Sequence, residues 1–202
     1  MSRSRSHFWG NNMKRIKMYQ SAAAVILAMA GVVAATAQTR ESSPLSPAPV
    51  GSVVAGIVEC GQGYTSHELY DMKITLLEVF RGEEAWKRLQ AASPSNKPAP
   101  PGQDYVIARV RFEYSARGLP GRCVHQLVPE QFSAYSTDGA TYDAPALIAP
   151  KPEMRSGLKS GQTFEGWVAF AVPLQDKNPL MNYSADSGGA VMHGSGTWFK
   201  LF

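Results

Sequence analysis

The chain has 202 residues, with 20 Lys+Arg against 16 Asp+Glu for a formal charge of +4, and 44% hydrophobic residues. That length supports one domain with a real core and excludes two generous ones. Arg3, Arg5, Lys14, Arg15 and Lys17 all precede residue 38, so the remainder carries about −1 (15 basic against 16 acidic residues) and lacks the basic excess of a nucleic-acid binder.

The basic run around Lys14-Arg15 is followed by the apolar stretch "AAAVILAMAGVVAA" and then by Ala35-Thr36-Ala37 before Gln38. Charge, length and the A-x-A cut site make residues 1–37 a secretory signal peptide of the Sec type. The apolar run is shorter than the ~20 residues that span a bilayer, so no membrane span is expected after cleavage. Met13 offers an alternative start. The product is expected in the periplasm or outside the cell.

Residues 38–52, "QTRESSPLSPAPVGS", are rich in Pro and Ser and read as a flexible tether. A domain is expected from 53 to 202. "VVAGIVE" at 53–59 and "DMKITLLEVF" at 71–80 read as strands, the second with Met72, Ile74 and Leu76 on one face. Residues 83–92, "EEAWKRLQAA", are the one helical stretch: Glu83 and Glu84 open it, and Lys87 and Arg88 follow at i+4.

Residues 104–118 are the clearest strand. Val106, Ala108, Val110, Phe112 and Tyr114 alternate with Ile107, Arg109, Arg111 and Glu113, predicting one buried face and one wet face. Asp138-Gly139 marks a hairpin turn within 131–145. In "GQTFEGWVAFAVP" (161–173), Phe164, Val168, Phe170 and Val172 share a face, and Gly166 stands where a bulge or a close backbone approach belongs. "PLMNY" and "TWFKLF" complete six to eight strands. The pattern argues for an all-β, antiparallel β-sandwich with one short helical insert, a closed barrel being the alternative.

The succession "MKITLLEVF", "DYVIARVRFEY", "PEQFSAYSTDGATYDAP", "GLKSGQTFEGWVAFAVP" and "TWFKL" resembles the telokin-like family of exported bacterial proteins. Asp138-Gly139 with Tyr142, and Leu158, Gly161, Gly166, Phe170, Val172 and Pro173 in their order, carry the likeness across roughly residues 71–202. The resemblance implies an immunoglobulin-like sandwich, a fold shared with a mycobacterial secreted antigen, and no established activity. The insert at 83–103 and the cysteine pair are additions to that pattern.

Cys60 and Cys123 are the only cysteines, and in an oxidising compartment an even pair is expected to bridge. His67 and His125 make no metal-ligand spacing with them, and His193 sits alone in a Gly/Ser-rich stretch; no metal and no cofactor are expected. "ADSGGA" at 185–190 resembles the nucleophile segment of chymotrypsin-like proteases, and His67, Asp104 and Ser187 occur in that family's order. Against a triad, only 15 residues follow Ser187, and Ala185 and Ala190 replace the flanking Gly and Pro. The stretch therefore reads as a flexible loop.

The expectation is an exported non-enzymatic module that binds an unidentified protein or envelope component. An exported serine hydrolase using Ser187, His67 and Asp104 is the alternative, and a purely structural envelope domain a third reading. Arg109 and Arg111, on the outward face of the best strand, and Trp167, opposite the Phe164 face, are the candidate binding residues. Trp167 either lies beneath the 83–92 helix, with Trp86 as packing mate, or anchors a partner.

Overall fold

The computed structural model describes residues 39–61, 67–118, 121–188, 191–193 and 196–202; the leader expected at 1–37 lies outside them. In chain order the elements are β1 (Thr39–Arg40), β2 (Val53–Gly61), β3 (His67–Arg81), α1 (Glu83–Ala92), β4 (Gln103–Ala116), β5 (His125–Leu127), β6 (Phe132–Tyr135), β7 (Ser156–Leu158), β8 (Gln162–Pro173), β9 (Leu180–Tyr183), β10 (Val191–His193) and β11 (Thr197–Lys200). One sheet runs β1-β2-β3-β4-β8, with β10 also on β2. Its inner face meets a second layer made of β11-β9-β6 and the β5-β7 pair. All strand pairs except β1–β2 are antiparallel. The fold is an all-β, antiparallel sandwich with a helical insert, as the strand pattern predicts.

Period-two alternation builds the core. Tyr70, Met72, Ile74 and Leu76 of β3, Val106 to Tyr114 at even positions of β4, and Val168, Phe170 and Val172 of β8 face inward. They meet Leu127, Phe132, Leu158, Met181, Tyr183 and Phe199 from the opposite layer. Burying each such side chain is worth about 1.5–3 kcal/mol, which sets strand register firmly. A bulge between Leu76 and Glu78 then inverts the parity of β3. Beyond it Val79 points inward, and Phe80 points to the outer face beside Ile107.

That inversion feeds a second apolar cluster on the outer face: Ala85, Leu89, Tyr105, Ile107, Ala149, Trp167 and Ala171, flanked by Phe80 and Trp86. Helix α1 covers it with Ala85 and Leu89. The helix carries the expected Glu83–Lys87 (2.8 Å) and Glu84–Arg88 (3.0 Å) pairs, each worth only a few tenths of a kcal/mol. Ten residues do not make a stable helix alone, so burial against β3 and β4 holds it. Asn96 extends the clamp, donating to the carbonyls of Leu89 (2.7 Å) and Ile148 (2.8 Å) and accepting from the Ile148 N–H (2.9 Å). The face of β4 expected to be wet is therefore dry around Tyr105 and Ile107 and wet only from Arg109 onward.

Three expectations change. First, the tether docks in its described part. β1 pairs with β2, Ala48 is fully buried, and its N–H and C=O bond to the Trp198 carbonyl (2.9 Å) and the Lys200 N–H (2.8 Å). The sandwich thus begins before residue 53. Second, the hairpin after β6 has only a stub of a second arm, a bridge from Tyr135 to Thr141 and a bond from the Tyr142 N–H to the Ala134 carbonyl, before the chain turns away. Third, the stretch read as a flexible loop contains a 3-10 turn, Ala185–Gly188, and strand β10 on β2.

Candidate binding groove

The triad of the alternative hydrolase reading, Ser187, His67 and Asp104, is not assembled. His67 opens β3 and Asp104 lies near the start of β4, while Arg81 at the far end of β3 pairs with Val106. At ~3.3 Å per residue the two side chains stand about 45 Å apart along the strands. Asp104 instead pairs with Arg81 (3.2 Å), and Ser187 falls in the 3-10 turn. His67 Nδ1 lies 2.5 Å from Glu59 Oε1, and His193 Nε2 lies 2.5 Å from Glu59 Oε2. The His193 bond holds the Glu59 carboxyl below its ordinary range. A carboxylate between two exposed imidazoles pins β10 and the start of β3 to β2.

Arg109 and Arg111 are engaged rather than available. Arg109 bonds Glu78 (3.2 Å) and Glu165 (2.7 Å), and Arg111 bonds the other oxygen of Glu165 at 2.7 Å. The Arg111 bond, followed by the charges of both arginines, keeps the Glu165 carboxyl below its usual range. The outward stripe, which includes the candidate binding residues Arg109 and Arg111, is a charge-balanced ladder across β3, β4 and β8.

Trp167 is only 9% exposed and packs with Phe80 at 6.1 Å between ring centroids, so it is not an exposed anchor. It lies in the cluster covered by α1, whereas the Trp86 ring meets Tyr105 at 6.2 Å. Cys60 and Cys123 are joined, with 6.4 Å between their Cα atoms. His125, weighed as a metal ligand, is buried beside Tyr183 and stacked on Phe112.

Among the described residues, one concave feature that combines apolar walls with polar groups lies at the edge of the sheet. A cavity of about 230 Å³ is lined by Trp167 and Ala169 from the outer face of β8 and by Val168 and Phe170 from its inner face. Both faces of one strand can border one cavity only where no neighbour covers the edge. Phe132 and Ala134 of β6 and Tyr142, Pro145, Leu147 and Ala149 of the following segment supply the opposite wall. The Tyr142 hydroxyl donates to Asp176 (2.5 Å), fixing the ring; burial first, then this bond, pushes the phenol up to about 12.

The backbone of β8 explains why the edge is open there. The Trp167 N–H donates to the Pro152 carbonyl (2.9 Å), and the Trp167 carbonyl accepts from Met154 (3.0 Å). Odd-numbered residues of β8 therefore direct their backbone groups away from β4, and the β4–β8 register is unbroken from 162 to 173. The Ala169 N–H and C=O point the same way as those of Trp167, but the segment that caps Trp167 does not reach them. Glu130 and Glu153 stand on the rim, and Arg155 lies 3.1 Å from the first and 3.8 Å from the second.

Of the two positions open to Trp167 from the sequence, the structure shows the one beside the insert, and the groove had no counterpart in the sequence pattern. Its walls come from strands far apart in sequence and from a segment read as a hairpin arm. The local signal was Gly166, where an added Cβ would lie 2.9 Å from both the N and the Cα of Met154. That close approach lets the 152–154 segment lie against β8, where its bridge stops one residue pair short of Ala169.

No family model matches the chain, and no curated protein does so. Among solved structures it is similar to the ycdA lipoprotein of Bacillus subtilis, at 16% identity and a TM-score of 0.42, covering 64% of this chain and 35% of that one. The yjhA protein of Bacillus subtilis aligns at 12% identity and a TM-score of 0.42, over 77% of this chain and 99% of that one. The secreted protein MPT63 of Mycobacterium tuberculosis aligns at 13% identity and a TM-score of 0.39, over 76% and 97% respectively. Among the described residues, no helix is long and apolar enough to cross a membrane.

Proposed function

We propose that the protein is an exported, non-enzymatic binding module of the telokin-like kind, and that the groove at the β8 edge is its ligand site. The observation that carries this reading is the single cavity shared by both faces of β8, with aromatic and aliphatic walls and an uncapped backbone at Ala169. Ligand sites combine apolar walls with a few directed polar groups in this way. The leader-like segment and the Cys60–Cys123 bridge support work in an oxidising compartment outside the cytoplasm. The near-neutral charge after residue 37 favours a protein or envelope component over nucleic acid as the partner.

Indole, small enough for the cavity, tests the site. Titrated into the full chain, it should give saturable shifts of the Ala169 and Leu147 amides. The shifts should vanish in Ala144→Trp, which overhangs the exposed rim and leaves the core alone. Shifts that never saturate, or that survive Ala144→Trp unchanged, remove the groove as the site.

A further inference from the structure

We infer that the groove accepts an extended peptide segment of another protein, which adds to β8 as a strand at Ala169 and presents an apolar side chain flanked by Lys or Arg. This inference rests on the groove being the ligand site and names what fills it. Three observations meet at one place. The Ala169 N–H and C=O point out of the sheet with no capping partner among the described residues, and an extended chain is the ligand that satisfies a donor and an acceptor on one strand edge together. The protein already uses this edge so: two residues earlier, Pro152 and Met154 bond the Trp167 backbone through a parallel bridge. An incoming segment continues that short strand along β8.

Side-chain chemistry then narrows the peptide. The cavity beside Ala169 is walled by Phe132, Leu147, Trp167 and Phe170, and about 230 Å³ accommodates one large apolar side chain. Its rim holds two carboxylates, Glu130 and Glu153, against one guanidinium, Arg155, leaving an excess negative charge where the residue next to the buried side chain emerges. A basic residue complements it and an acidic one is repelled.

The test is selection of a phage-displayed random dodecapeptide library on the full chain, with Ala169→Pro as counter-target. Proline at this edge removes an N–H that the ladder does not use, so the sheet should tolerate it; thermal melting checks that. Enriched peptides should carry an apolar residue beside Lys or Arg. A synthetic copy should shift the Ala169 amide and lose at least tenfold in affinity in Glu130→Gln/Glu153→Gln. N-methylation of the peptide amide that pairs with the Ala169 carbonyl should cost a further tenfold, a result independent of how any variant folds. No enrichment over Ala169→Pro, equal binding of the N-methylated peptide, or enrichment of acidic peptides overturns the inference. A concentration-dependent dimer abolished by Ala169→Pro would also overturn it, giving the edge to a second copy. If indole saturates the groove while no peptide is selected, the peptide fails and the site stands; if both fail, both readings fall.

Discussion

His125 Nε2 lies 2.8 Å from the Tyr183 hydroxyl, and the imidazole is stacked on Phe112 with ring centroids 5.3 Å apart. Tyr114 closes a third side at 5.3 Å. The ring sits in the aromatic heart of the sandwich, where a charge has no counter-ion, and burial depresses its pKa from 6.5 to about 4. Burial pushes the Tyr183 phenol upward, so it stays protonated throughout.

Stability should follow from that depressed value. Above pH 6.5 the ring is neutral folded and unfolded, and the full stability is present. As pH falls from 6.5 through about 4, the unfolded chain takes up a proton that the folded chain refuses, and about 3 kcal/mol is lost. Urea midpoints at pH 7.5, 5.5 and 4.5 should fall in that order, and His125→Gln should flatten the slope between 7.5 and 5.5. The lowered carboxyls of Glu59, Glu68 and Glu165 act only at lower pH, as it falls through and below 4.5. An unchanged slope in the variant would assign the effect to other groups.

What could be read in advance follows the physics of each element. Strand β4 was legible because burial on one face imposes a period of two, and α1 because its charges sit at i+4 and its breakers at 93–102. The bulge after Leu76 was not, since apolar residues occupy both parities of "ITLLEVF" and nothing local says where the register slips. β5, β7 and β10 are three residues each and exist through tertiary pairing. The docking of "SPAPV" uses the backbone of Ala48, which composition does not report. The open edge of β8 depends on which strand fails to arrive, and that is a property of the whole topology.

The cross-link makes a second prediction. Cys60–Cys123 closes a 63-residue span, and the Cys123 N–H also donates to the Tyr70 hydroxyl at 3.0 Å. The chain-entropy model assigns such a loop roughly 4 kcal/mol, and measured values run lower. Cys60→Ser/Cys123→Ser should lose about 2–4 kcal/mol in urea unfolding, while native protein exported to an oxidising compartment should show no alkylatable thiol. Two reactive thiols in that protein would contradict the bridge.

Ser187 should be chemically silent. A nucleophilic serine needs its His–Asp pair, and here His67 and Asp104 occupy opposite ends of β3 and β4, each with another partner. A fluorophosphonate probe should label native wild type and Ser187→Ala to the same background level. Stoichiometric labelling of wild type that disappears in Ser187→Ala would restore the hydrolase reading.

Gly166 links the core to the groove, and its replacement should affect both. The residue faces inward on β8, and a Cβ there would meet the backbone of Met154 at 2.9 Å, too close for either strand to keep its place. Met154 is itself fully buried, so the 152–154 strand has no room to retreat without exposing apolar surface. Gly166→Ala should therefore destabilise the fold by about 1–3 kcal/mol, as overpacking does. Gly139→Ala is the useful contrast: nothing lies within 4 Å of its Cβ, and only its φ of +94° opposes the change. Hydrogen exchange separates the two. Gly166→Ala should speed exchange at the Trp167 and Met154 amides, whose bonds to Pro152 and Trp167 hold that short strand in place. Gly139→Ala should leave both amides protected. Equal protection in the two variants would mean that the close approach at Gly166 does not maintain the strand that ends beside Ala169.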